Sequence, residues 1–414
     1  MPRMFATAAL LVSILSCSEN LDSSGTCPVL CQQIGGNVQN ITIDAVVVDT
    51  TVPALSGLGT EPGLLLAFRG DTLDTRVVVR FDSLPAKFIP AAGDTARPIT
   101  SVDSAYVRFI LDTLSIKGTD SVTIEAYDVD TTANDTSTAA VLALFRPDRF
   151  ISSQTFARTQ LTDTLKYYIS NAAVLAKIQG NARLRIGLRA TGPGSSQMRI
   201  ISTEGGSPPV MFFRARPDTT TKPLTVTLLS KTPVGESILA TNLMDYTVIA
   251  KGPPPAPPSV LSVGGLPARR VYILFNIPSS IIDSSTVVRA TLLLNQLPNN
   301  AIDPTDTVFV LPQVVLAGKA VTDPAKAAQI IGSISVDTLK LKPGSSGTTN
   351  VELARAFTLW HAQRPDTLPR AIVLKSVVEG NSPLELRFSS SEDVVALRPR
   401  LRISYTKTVP LGLP

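Results

Sequence analysis

The chain has 414 residues, 44% of them hydrophobic, enough for two domains of ordinary size that each bury a core. Its net charge of +5 is spread thinly, with no basic run dense enough to follow a phosphate backbone, which argues against nucleic-acid binding. One histidine (His361), one tryptophan (Trp360) and three cysteines, all before residue 32, leave little material for a His/Cys metal centre or a histidine-based triad.

Residues 1–16 read as a lipoprotein signal peptide. Arg3 precedes an apolar run over 5–15 that is too short to span a bilayer, which takes about 20 residues. The run ends in Ile14-Leu15-Ser16-Cys17, which resembles the lipobox of bacterial lipoproteins, whose cysteine is acylated and becomes the mature N-terminus. Residues 17–40 then form a lipidated N-terminus and polar tether, the protein's only expected link to a membrane. Ser18 follows Cys17 where an Asp would resemble an inner-membrane retention signal, so the expected address is the outer membrane of the cell envelope. With Cys17 acylated, Cys27 and Cys31 remain in an oxidising compartment and are a candidate local disulfide.

The first domain is expected over 41–215. Strands are predicted at 41–48, 64–68, 76–81, 104–109, 121–127, 184–188, 198–201 and 209–213, most with period-two alternation. Apolar residues at 161, 165, 168 and 169 have helical spacing, so a short helix is expected there. After the strand at 121, the oxygen-rich cluster Asp128, Asp130, Asn134 and Asp135 suits a structural calcium ion or a plain turn; no other cofactor is suggested.

Residues 216–223 are polar, with Pro217 and Pro223 near their ends, and read as the linker. From 224 to 408 the pattern repeats, leaving a tail at 409–414. Arg270-Val-Tyr-Ile-Leu-Phe275 matches Arg76-Val-Val-Val-Arg-Phe81, and Ala290 to Leu294 match Ala105 to Phe109. Leu353, Phe357 and Trp360 are matched to Leu161, Leu165 and Tyr168. Leu386-Arg-Phe-Ser-Ser-Ser-Glu392 matches Met198-Arg-Ile-Ile-Ser-Thr-Glu204. A period this long is a domain duplication, because solenoid repeats are far shorter. The expected fold is all-β, with two tandem jelly-roll-type antiparallel β-sandwich domains and a short helix in each.

The order of these motifs resembles the DNRLRE domain: an Arg-x-x-x-x-Phe strand followed by a proline, a helix ending in tryptophan, Arg387-Phe-Ser-Ser-Ser-Glu392, and Arg398-Pro-Arg-Leu-Arg-Ile-Ser-Tyr405. The resemblance covers most of the chain after residue 41 and is clearer in the second copy. It implies extracellular β-sandwich modules similar to carbohydrate-binding modules. Aromatic residues are only 5% of the chain, which weakens a stacking-type sugar site, whereas arginine and lysine can hold acidic glycans. Candidate ligand-face residues on outward strand positions are Arg76, Arg80, Tyr106, Arg108, Arg199, Tyr272, Arg387 and Arg402. Trp360 is expected in the core, and Glu204 and Glu392 are expected to cap turns. No catalytic constellation emerges, so a non-catalytic envelope lipoprotein binding polysaccharide or another extracellular polymer is expected, not an enzyme. The alternative is a structural or adhesive scaffold that binds a protein partner.

Overall fold

A computed structural model describes residues 38–54, 58–90, 93–118, 120–130, 137–216, 224–227, 243–332, 338–363 and 367–408. Cys17, Cys27, Cys31, Asn134 and Asp135 lie outside the described residues. The first half contains β1 (Gln39–Ile43), β2 (Val46–Pro53), β3 (Gly63–Arg69), β4 (Leu73–Phe81), the small hairpin β5 (Lys87–Phe88) and β6 (Arg97–Pro98), β7 (Ser101–Lys117) and β8 (Val122–Asp128). Helix α1 (Thr138–Leu142) precedes β9 (Phe150–Phe156) and β10 (Thr164–Tyr168). Helix α2 (Asn171–Gln179) leads to β11 (Leu184–Thr191), β12 (Ser196–Ile201) and β13 (Val210–Arg216). The second half begins with β14 (Leu224–Thr227), β15 (Asp245–Lys251), β16 (Val260–Gly264) and β17 (Arg269–Phe275). Helix α3 (Ser279–Ile282), β18 (Ser285–Leu297), β19 (Val308–Val314), α4 (Pro324–Ala327), β20 (Leu339–Leu341) and β21 (Gly347–Glu352) follow. Helix α5 (Ala354–Ala362), β22 (Ala371–Ser376), β23 (Glu385–Ser389) and β24 (Arg400–Lys407) complete the chain.

The fold is all-β, and its two large antiparallel sheets each fold over a separate core. The fold-over lies in one long strand per copy. The first part of β7 pairs with β10 and β13, and its second part pairs with β12 past a break in register. In the second copy β18 pairs with β21 and β24, and at its far end with β23. Alternating residues such as Ala105, Val107 and Phe109, or Ala290, Leu292 and Leu294, point into the core between the layers.

The arms that complete each sandwich come from the other half of the chain. Strand β2, expected in the first domain, pairs with β17, and β1 pairs with β24, so residues 39–53 belong to the second sandwich. Reciprocally, β14 pairs with β13 and β15 pairs with β4 in the first sandwich. The slots exist because the hairpins splay. Strands β16 and β17 pair only at Gly264 and Arg269, and β3 and β4 pair only near their turn. The two arms are fixed alike. The Ser262 amide donates to Thr51 Oγ1 at 2.9 Å, and the Leu65 amide donates to Thr247 Oγ1 at 3.0 Å. The Ser391 amide donates to Asp49 at 2.7 Å, and the Thr203 amide donates to Asp245 at 2.9 Å. The repeated Asp-x-Thr spacing therefore marks the arms. Both slots read the same motif, which is why sequence could not say which arm fills which slot.

The segment over 161–169 is not a helix. Strand β10 lies there against β7, with Leu165 and Tyr167 buried and Lys166 and Tyr168 exposed. The side-chain period is two, and Tyr167 rather than Tyr168 enters the core. The helix comes later, as α2, whose Ser170 side chain accepts from the Ala173 amide as an N-cap. Backbone bonds give the correct match to the second copy: the Ile169 amide donates to the Ala105 carbonyl, and the Leu353 amide to the Ala290 carbonyl. Trp360 on α5 is buried against Phe275 and Phe357, with ring centroids 6.0 and 5.4 Å away.

The halves also meet through Leu65, Ala67 and Leu73, which pack with Leu266 and Ile302. Arg69 pairs with Asp303 at 3.0 Å and Lys117 with Asp306 at 2.6 Å at the same junction. Among the described residues, no helix is long and apolar enough to cross a membrane.

Candidate polymer-binding face

Strands β10, β7 and β13 lie side by side, and their outer face carries a row of three rings. Tyr168 sits opposite Tyr106 on β7, and Phe212 sits opposite Tyr106 from the other side. Tyr106 and Phe212 are stacked, with centroids 5.2 Å apart and planes 18° apart; Tyr168 is tilted against Tyr106 at 5.7 Å. Tyr168 is 54% exposed, and the other two rings are half-buried. The next row along the strands carries Lys166 directly opposite Arg108, both exposed. The Arg108 guanidinium lies 5.2 Å from the Phe212 ring centre, and Lys166 Nζ lies 5.6 Å from that of Tyr106. Among the described residues, no carboxylate lies within ion-pairing distance of Arg108 or Lys166.

The second copy does not repeat this surface. By the same strand register, Glu352, Thr291 and Arg402 occupy the places of Tyr168, Tyr106 and Phe212. Glu352 there holds Arg289 at 3.1 Å and also accepts from Thr291. Polar residues thus suffice for this position in the fold, with Thr291 buried and Arg402 exposed, and the first copy's rings are not a packing requirement.

The sequence-predicted ligand-face residues separate into groups. Tyr106 and Arg108 lie in the row of rings and cations. Arg402 is exposed, but on the polar counterpart face. Arg76 is bound to Asp74 at 2.8 Å and lies over the Phe145 ring; Arg199 is bound to Asp112 at 2.9 Å, and Arg387 to Glu385 at 2.7 Å. Arg80 and Tyr272 correct the outward assignment, being 0% and 1% exposed. Their strands are buried on both sides: on β4, Val78 packs with Tyr246 and with Val141 of α1, while on β17, Tyr272 packs with Ala327 of α4 and the following Ala328. The continuous apolar runs Val77-Val-Val79 and Val271-Tyr-Ile-Leu274 fit that double burial. Helical spacing over 161–169 hides half of this face, because Lys166 and Tyr168 stand on its outer side only when the segment is a strand. Phe212 could have been read from its place between inward-facing Met211 and Phe213.

Asp128 and Asp130, the described half of the calcium cluster, are met by cations. Lys177 lies 2.7 Å from Asp128, and Arg183 lies 3.0 Å from Asp130. His361 Nδ1 is 2.6 Å from the Ile282 carbonyl oxygen. Glu204 and Glu392 are not the turn caps: the hydroxyls of Ser202 and Ser390 accept from the Gly205 and Glu392 amides. Near the first turn, burial pushes the Asp245 carboxyl up to about 6, and the charges of Glu204 and Glu61 add to the effect. Burial raises Glu61 as well. Asp245 is 1% exposed, and its carboxylate instead accepts from the Thr203 amide and hydroxyl.

No family model and no curated protein matches the chain. Among solved structures it is similar to the C-terminal domain of the antigen I/II-family protein AspA of Streptococcus pyogenes, at 10% identity and TM-score 0.16, over 88% of this chain and 92% of that one. It is also similar to the VP2 subviral particle of infectious bursal disease virus, at 8% identity and TM-score 0.12, over 86% of this chain and 80% of that one. A third likeness is the T=3 Penaeus vannamei nodavirus, at 9% identity and TM-score 0.12, over 99% of this chain and 96% of that one. Likeness at this level carries no functional argument.

Proposed function

We propose that this chain is a non-catalytic lipoprotein of the cell envelope that binds an extracellular polysaccharide on the β10–β7–β13 face, with the second sandwich acting as a partner domain and spacer. The observation that carries the reading is the difference between copies. Tyr168, Tyr106 and Phe212 line the first copy where Glu352, Thr291 and Arg402 line the second. Polymers suit a flat face that runs across three strands and is not enclosed. The lipobox-like Cys17 would tether that face to a membrane, and the resemblance to the DNRLRE domain agrees with an extracellular module.

The test is affinity electrophoresis of the purified chain, with Cys17 replaced by Ser, through gels holding neutral or acidic polysaccharides. Retardation by at least one polymer is expected, lost in Tyr106→Ala/Tyr168→Ala and kept in Arg402→Ala. Free passage through every gel would sink the reading. The anchor is tested separately: the unmodified chain should partition with membranes and carry acyl label, and the Cys17→Ser chain should do neither.

A further inference from the structure

The ring faces of Tyr106 and Phe212 are already in use. Phe212 stacks on Tyr106, Arg108 lies over Phe212, and Lys166 lies over Tyr106. Stacking a pyranose on Tyr106 or Phe212 would displace a cation or the neighbouring ring. What the face offers instead is its donors: the Arg108 guanidinium, the Lys166 ammonium, and the Tyr106 and Tyr168 hydroxyls, which make no hydrogen bond among the described residues. Lys166 and Arg108 stand directly opposite one another on paired strands. Like charges in that position repel and destabilise a sheet. Elsewhere the fold avoids such costs: Arg76, Arg199, Arg289 and Arg387 each have a carboxylate within 3.1 Å. An anion bridging Lys166 and Arg108 removes the repulsion and gains charge-assisted hydrogen bonds.

Resting on the polysaccharide reading above, we infer that the ligand is an acidic polysaccharide, and that its carboxylates are held by Arg108 and Lys166 with the tyrosine hydroxyls beside them. The aromatic row serves as a scaffold. It holds the two cations in place through cation–π contacts, Arg108 over Phe212 and Lys166 over Tyr106. Recognition then depends on charge and hydrogen bonding, and the sugar ring faces contribute little.

The test uses one polymer backbone with and without its charge: polygalacturonate and its fully methyl-esterified form, with double-stranded DNA as an unrelated polyanion. The purified chain with Cys17→Ser is run in affinity gels and titrated by calorimetry. Saturable binding to polygalacturonate alone is expected, weakened at least tenfold in Arg108→Gln/Lys166→Gln and falling steeply with added salt. The glutamine variant keeps two long polar side chains on an exposed face, and an unchanged melting temperature checks its fold. Equal binding to the esterified polymer overturns the inference while leaving a polysaccharide-binding face. Equal binding to DNA, or full binding by the glutamine variant, overturns it too. Absence of binding to any polysaccharide removes both the inference and the reading beneath it.

Discussion

At the residue scale the first copy carries a buried charge network that the second copy lacks. Asp82 accepts from Arg80 at 2.9 Å and from Arg185 at 3.0 Å, and all three side chains are almost wholly excluded from solvent. The paired positions of the two arginines correspond in the second copy to Leu274 and Ala371. The architecture therefore accommodates either a buried ion cluster or apolar packing at these positions. Asp82→Ala leaves two guanidinium groups buried without their main acceptor and should cost roughly 3–5 kcal/mol, read from urea unfolding. Asp245 predicts a pH dependence. Its carboxyl titrates at about 6 in the folded chain. The unfolded value is the ordinary aspartate value, so the folded state binds the proton more tightly. The stability this gives is complete below the unfolded value and is lost as pH rises through about 6, roughly 3 kcal/mol in all. Burial raises Glu61 in the same direction. Asp245→Asn keeps an oxygen for Thr203 and removes the charge. Urea midpoints at about pH 4.5 and about pH 7.5 should differ less in the variant than in the parent chain. An unchanged difference would show that another group controls that window.

At the scale of elements, strand alternation was legible wherever one face met the core, as in Ala105, Val107 and Phe109. It misled at 161–169 because one-residue ambiguity between Tyr167 and Tyr168 decides between period two and helical spacing. It was silent about the outer faces of β4 and β17, whose cover comes from segments distant in sequence. The arms show the same limit in stronger form. Strand β2 carries Asp49 and Thr51, and β15 carries Asp245 and Thr247, so local chemistry fits either slot. If β2 is fixed as described, Asp49→Ala should cost about 1–3 kcal/mol by leaving the Ser391 amide and hydroxyl without their acceptor. Hydrogen exchange locates the effect. Amides of Val46–Val52, Ser262 and Ser391 should exchange faster, while those of β3 and β4 should not change. Faster exchange in β3 or β4 would place the arm in the first sandwich after all.

At the scale of the molecule, the exchange of arms determines how the halves can come apart. The direct junction is modest: a small apolar cluster, with Arg69–Asp303 and Lys117–Asp306 only partly shielded from water. Ion pairs of that kind contribute at most about 1 kcal/mol each. The arms add main-chain pairing along β1, β2, β14 and β15, all of it between one half of the chain and the other. Separating the halves requires stripping strands from both sheets, which approaches the cost of unfolding them. A chain with a protease site placed in residues 217–223 tests this. After complete cleavage the two pieces should co-elute in native buffer and unfold in one transition, and they should separate only in denaturant. Pieces that drift apart in native buffer would mean that the arms return to their own halves. The proposed polymer-binding face would then stand on an independent first sandwich, and the second could be removed without loss of the binding proposed for it. Co-elution would mean instead that a load entering through the proposed anchor at Cys17 meets β1 and β2, which are paired into the second sandwich, ahead of the proposed face on the first.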